Sequence, residues 1–261
     1  MKNTPSLTDA KRGAYLDALG IQQWILRREK SDDVAEDVQL SVMAAQTVSQ
    51  VEKKKPQPEF RLDDKQASVK IDFDKLAMLD LPALEMYVRA CEACELHKTR
   101  KQTVFGVGHQ KADWMIIGEA PGADEDRQGE PFVGRAGQLL TQMLRAIGLA
   151  REEVFIANIL KCRPPNNRDP SQDEVTACHA FLNRQIELIE PKIVLALGKI
   201  AAQSLLQSDI PIGKMRGKLY RLEKNNIPLV VTYHPAYLLR SPKEKRKVWE
   251  DLKFARRQVI A

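Results

Sequence analysis

The chain has 261 residues, 43% of them hydrophobic, and a formal net charge of +6. No apolar run approaches the ~18 residues of a membrane span, and the start, MKNTPSLTDAKRG, lacks a secretory signal, so a cytoplasmic, nucleoid-associated protein with no membrane partner is expected. Residues 1–80 hold 13 Lys+Arg against 14 Asp+Glu, whereas residues 81–261 hold 28 against 21, a net of +7 that suits a polyanion such as DNA or RNA and equally an ordinary mildly basic domain.

Along the chain, Asp9 to Arg28 has helical periodicity. Tyr15, Leu16, Leu19, Ile21, Trp24, Ile25 and Leu26 form an apolar stripe interrupted by Gly20. Residues 1–30 thus read as an amphipathic partner-binding segment. Asp32 to Gln66 is polar and charged without a sustained pattern, and residues 31–75 read as a flexible, disordered linker. The folded domain is expected over residues 76–261, as a monomer.

Inside that domain four apolar runs read as strands: Trp114–Gly118, Val154–Leu160, Ile193–Gly198 and Leu229–Tyr233. They are continuous rather than alternating, the pattern of strands buried on both faces. Helical segments lie between and after them, over Ala136–Ile147, Ser171–Ile189, Lys199–Gln207 and Glu244–Val259. Ser171 with Glu174 makes a capping box at the start of the second. The alternation predicts an α/β fold, a three-layer α/β/α sandwich around a mostly parallel sheet, preceded by a disordered extension. Functional groups in such folds gather at the carboxyl ends of the strands.

The four cysteines are Cys91, Cys94, Cys162 and Cys178. Cytosolic thiols stay reduced, so metal binding or catalysis comes before disulfides. The Cys91–Cys94 pair has the bite of a metal-binding turn, and four thiolates from two segments can hold zinc or an iron–sulfur cluster. Spacing alone does not choose between them. A glycine-rich, acidic loop, GEAPGADEDRQGEPFVGRAGQLL, follows the first strand. Its carboxylates, with no GxxxxGK[ST] signature, argue against a triphosphate cradle. Carboxylates there suit positioning water or stabilising positive charge. Asn158 and His234 fall at other strand ends; an amide can read a pyrimidine edge and a neutral imidazole can donate to an anion.

GEAPG, GEPFVGRAGQLL, NILKCRPPNNRDP and YHPAYLL resemble the motifs of the family 4 uracil-DNA glycosylases, the iron–sulfur branch of that superfamily, over about residues 81–261. The resemblance implies a DNA repair hydrolase that flips uracil out of single- or double-stranded DNA and leaves an abasic site. It implies a [4Fe–4S] cluster on Cys91, Cys94, Cys162 and Cys178, structural rather than chemical, bracing the loop beyond Asn158. Phe132 would stack on the flipped uracil, Asn158 would bond its edge, and His234 would stabilise charge on O2. Glu119 and Glu125 would position water, stabilise the sugar cation or block thymine's methyl group. Backbone around Ala120 would line the pocket, and Tyr237–Arg240 would press into the DNA. The best-known uracil glycosylases carry an aspartate where Ala120 stands, so either Glu119 or Glu125 substitutes or leaving-group stabilisation dominates. Lys161 to Asp169 runs on without the inserted RRIH loop of a product-trapping branch, so free turnover is expected.

Tyr15–Glu29 is similar to the N-terminal segment of the clamp-loader psi subunit over about ten positions, which implies a replication partner. The alternative to an enzyme is a non-catalytic, metal-braced DNA-binding module that recruits replication machinery.

Overall fold

The computed structural model describes residues 72–260. The expected amphipathic segment and most of the expected linker lie outside the described residues.

Helix α1 (Phe73–Met78) begins just before the expected boundary at 76. Asp72 caps it by accepting from the Lys75 amide at 3.1 Å. Asp80 caps α2 (Leu81–Arg89) through the Ala83 amide at 2.9 Å. Each carboxylate satisfies a donor that a helix start leaves unpaired. A 3-10 turn at Glu95–Lys98 then leads to β1 (Val107–Gly108) and β2 (Trp114–Gly118). After these come α3 (Ala123–Gln128), α4 (Arg135–Ala146), β3 (Phe155–Asn158), α5 (Gln172–Ile189), β4 (Ile193–Leu197) and α6 (Lys199–Leu206). The chain closes with α7 (Ile212–Met215), β5 (Leu219–Arg221), β6 (Pro228–Thr232), α8 (Pro235–Arg240) and α9 (Lys245–Ile260).

The six strands form one sheet in the order β1-β3-β2-β4-β6-β5. The inner four are the four strands expected from apolar runs, and all are parallel. The two edges, β1 and β5, pair antiparallel; they were not legible because two or three residues carry no periodicity. The third-layer expectation also holds, since alternate residues of each strand serve different cores. Met115 and Ile117 pack with Phe181, Leu182 and Ile186 of α5 and Ala202 of α6. Trp114 and Ile116 pack with Leu140 and Leu144 of α4 and with Leu252 and Ala255 of α9.

One strand is shorter than expected. The run Val154–Leu160 is strand only over Phe155–Asn158. Beyond it the consecutive amides of Ile159 and Leu160 donate to the carbonyls of Gly118 and Glu119 on one side. A strand alternates its amides between sides, so this pattern turns the chain, and it makes Asn158 the last strand residue. The expected capping box is present: Ser171 Oγ accepts from the Glu174 amide at 3.3 Å and Glu174 accepts from the Ser171 amide at 2.9 Å.

Candidate active site

Four chain segments leave the carboxyl ends of β2, β3, β4 and β6 and meet above the sheet. Strand β2 ends at Gly118 directly beside Asn158 of β3. A Cβ on Gly118 would stand 2.4 Å from Asn158 Oδ1 and 2.6 Å from Phe132 Cζ. The strand end, the amide and the aromatic ring therefore share one small space that only glycine leaves open. Asn158 is 2% exposed, and its Oδ1 has no hydrogen-bond partner. A buried acceptor left unpaired costs about 1–3 kcal/mol unless a ligand meets it.

Phe132 is held in that space by its loop. Its φ is +55°, a left-handed conformation unusual for an aromatic residue. Gly137 permits it: a Cβ there would come 1.7 Å from the Phe132 carbonyl oxygen. Glu125 holds the loop from the other side. Its Oε1 accepts from the amides of Val133 and Gly134 at 3.0 and 3.1 Å, and its Oε2 from Gly122 at 3.1 Å. Both oxygens of Glu125 are thus engaged by the backbone around Phe132.

Glu119 is the contrasting carboxylate. It is half-buried, and among the described residues its side chain makes no hydrogen bond. Burial first, then the nearby Asp169 carboxylate, push it up to about 7. Ala120 follows, also half-buried.

His234 sits at the start of α8 with its ring 5.5 Å from that of Phe132. Its Nδ1 accepts from the Ala236 amide at 3.2 Å. In the neutral ring the proton must then be on Nε2, which leaves Nε2–H as a donor. Packing against its walls pushes His234 down to about 4, the Arg240 charge acting in the same direction and Glu125 opposing. The imidazole is therefore neutral at physiological pH. A Thr232–Asp251–Arg216 cluster anchors β6 just upstream, with Thr232 Oγ1 and Arg216 Nε both donating to Asp251 Oδ2 at 2.7 Å.

The cysteines form a separate group. Cys91 follows the C-cap of α2, Cys94 precedes the 3-10 turn, Cys162 lies in the loop after β3, and Cys178 is in the second turn of α5. All four are free thiols. Burial pushes Cys162 up to about 11, with Cys94 and Cys91 adding to the rise. Burial pushes Cys178 up to about 12, with Cys162 and Cys94 adding to it. Cys162 thus lies near Cys91, Cys94 and Cys178, and Arg100 Nη1 donates to Cys162 Sγ at 3.1 Å. Among the described residues no three His, Cys, Asp or Glu side chains converge as tightly as around one metal ion. The donor chemistry is nonetheless that of a thiolate-bound group: four sulfurs, apolar surroundings and a guanidinium to offset negative charge.

The sequence reading missed Gly118 and Gly137 as determinants of the pocket, although both lie in the glycine-rich loop it singled out. A wide cleft of ≈ 1390 Å³ lies elsewhere, over α5 and α6 against Thr176, His179 and Gln203. It holds none of Phe132, Asn158 and His234; the one unpartnered buried side-chain atom in its lining, among the described residues, is the Ser204 hydroxyl.

Residues 105–253 match the family model described as the uracil DNA glycosylase superfamily. A type-4 uracil-DNA glycosylase of Archaeoglobus fulgidus is 46% identical over 172 residues, covering 64% of this chain and 86% of that protein. Another, from Saccharolobus solfataricus, is 48% identical over 182 residues, or 67% of this chain and 83% of the relative. A third, from Thermotoga maritima, is 45% identical over 174 residues, or 65% and 89%. The family match leaves Tyr15–Glu29 outside it, and nothing supports the expected clamp-loader partner.

Proposed function

The chain belongs to the uracil-DNA glycosylase superfamily, and we propose the following division of labour for its uracil-excising activity in DNA repair. Uracil leaves the duplex and enters the space between Phe132, Asn158 and His234. Flipping costs a few kcal/mol, and less at a mismatch, so deaminated cytosine opposite guanine is favoured before any base contact forms.

Phe132 stacks on the base. Asn158 Oδ1 accepts from uracil N3–H while its amide nitrogen donates to O4. Cytosine offers an acceptor at N3 and a donor at C4, so both contacts reverse into repulsions. Neutral His234 donates from Nε2 to uracil O2, where negative charge grows as the glycosidic bond lengthens. A donor aimed there in advance stabilises the transition state without reorganising. Glu119, with its oxygens uncommitted, positions the attacking water or the developing sugar cation. Glu125 is assigned to holding the Phe132 loop rather than to water, because its oxygens already accept three amides.

Cys91, Cys94, Cys162 and Cys178 hold a [4Fe–4S] cluster in this reading, supported by the type-4 names of the relatives and by the all-thiol donor set. These four thiolates would hold the cluster so as to tie the segment after α2 to the loop after β3 and to α5, a bracing role rather than a part in bond cleavage.

The observation that carries the proposal is the buried, unpartnered Asn158 Oδ1 beside Gly118 and Phe132. The test is cleavage of a uracil-containing oligonucleotide by the iron-loaded full chain, read as alkali-labile sites on a gel. Excision by the wild type and its loss in Asn158→Ala are expected. Absence of cleavage by wild type with a full iron complement would refute the assignment.

A further inference from the structure

We propose that Lys161 is a positioning residue for base recognition: it holds the backbone of Asn158 at the open edge of β3, so that the Asn158 amide stays aimed into the pocket. This rests on the reading of Asn158 as the uracil-contacting residue.

On one side β3 is closed to its end, because Asn158 pairs with Gly118 and the Ile159 amide donates to the Gly118 carbonyl at 2.9 Å. The other side is not. β1 covers only Phe155 and Ile156, so the Asn158 carbonyl lies past the last strand neighbour available to it. Lys161 supplies the missing donor. Its Nζ donates to the Asn158 carbonyl at 2.8 Å and to Gln185 Oε1 at 2.6 Å. Gln185 donates in turn to the Phe105 carbonyl at 3.0 Å, and the Lys161 carbonyl accepts from the Val104 amide at 2.8 Å. The strand end, α5 and the segment entering β1 are thereby tied at one point.

Lys161 is 1% exposed and Gln185 fully buried. Enclosing an ammonium is a poor way to gain stability, since packed apolar side chains do as well or better. What the ammonium adds is direction: two bonds that fix where one peptide plane lies. The Asn158 side chain hangs from that plane, and a small tilt would move its Oδ1 off the N3–H it must meet. Lys161 also directly precedes Cys162, so one residue joins the base-contacting strand to the cysteine loop.

The test compares Lys161→Met, Lys161→Gln and Asn158→Ala in the iron-loaded full chain. Four quantities are read: the single-turnover rate at saturating uracil oligonucleotide, the affinity for the same oligonucleotide with thymine in place of uracil, iron per chain, and the thermal melting transition. Lys161→Met is expected to excise uracil about tenfold or more slowly, as a slightly misplaced contact would. Iron content and thymine-oligonucleotide affinity should stay within about twofold of wild type, because neither depends on the base contact. Lys161→Gln, which keeps an N–H donor on a shorter stem, should fall between. A wild-type rate in Lys161→Met alongside an inactive Asn158→Ala overturns this inference alone. A wild-type rate in Asn158→Ala overturns the base-contact reading beneath it. Loss of iron or of cooperative melting in both Lys161 variants would make the residue structural and also overturn the inference.

Discussion

Gly118 lies so close beneath Asn158 that a single added methyl group would stand 2.4 Å from the amide oxygen. Heavy atoms do not approach that closely without moving, so Gly118→Ala must displace the amide, the Phe132 ring or both. Uracil excision is expected to fall by about 100-fold. Binding to uracil-free DNA should be little changed, since phosphate contacts do not depend on the base contact. Single-turnover kinetics beside a binding titration checks this, and an unimpaired rate would show that the pocket reshapes freely.

Asn158→Ala removes an acceptor that is already unpaired in the free protein. The melting temperature should therefore stay level or rise, because no internal bond is lost and a desolvated oxygen is removed. Excision should fall by about 100- to 1,000-fold, the loss typical of one preorganised polar contact. Calorimetry and the excision assay together separate this from a fold defect; a clear drop in melting temperature would contradict it.

His234 and Glu119 predict distinct pH signatures. His234 is depressed from 6.5 to about 4, so its contribution to stability is complete above 6.5 and is lost as pH falls through 4. The excision rate should accordingly show no limb near 6.5. Glu119 is raised from 4.5 to about 7, so the folded state favours its protonated form. That contribution is present below 4.5 and is lost as pH rises through 7. If its carboxylate positions water, the rate rises with pH to a plateau beyond 7, and Glu119→Gln removes that limb. A rate profile unchanged in Glu119→Gln would exclude the role.

Glu125 should behave as an anchor. Glu125→Ala releases the amides of Gly122, Val133 and Gly134 and is expected to cost about 1–3 kcal/mol of stability. Glu125→Gln keeps one acceptor oxygen and should retain most excision activity. Were Glu125 the water-activating base, the Gln variant would be as inactive as the Ala variant while melting normally.

Cys162→Ser removes a proposed cluster ligand whose sulfur also accepts from Arg100. Iron per chain should drop steeply and the melting temperature with it, as expected where metal binding contributes to folding. A variant retaining wild-type iron would remove Cys162 from the ligand set.

The fold was legible because its strongest signals are local. Four continuous apolar runs separated by helical periodicities lead to a parallel sheet covered on both faces, and Ser171–Glu174 marks a helix start within the same few residues. The edge strands and the early end of β3 were not legible. β1 and β5 are too short for periodicity, and Ile159–Leu160 are as apolar as the strand before them.

The sequence by itself determined which chemistries were available: four thiols, the candidate carboxylates Glu119 and Glu125 in an acidic, glycine-rich loop, and an amide and an imidazole at strand ends. Only the tertiary structure decided how each of them is held. Glu119 and Glu125 are indistinguishable as letters, yet one keeps free oxygens and the other is engaged by three backbone amides brought within reach by the turn around Phe132. Lys161 reads as one more basic residue on a basic domain. It becomes an internal donor because β1 stops short of Asn158, and that is a fact about the register of strands distant in sequence, which no local pattern encodes.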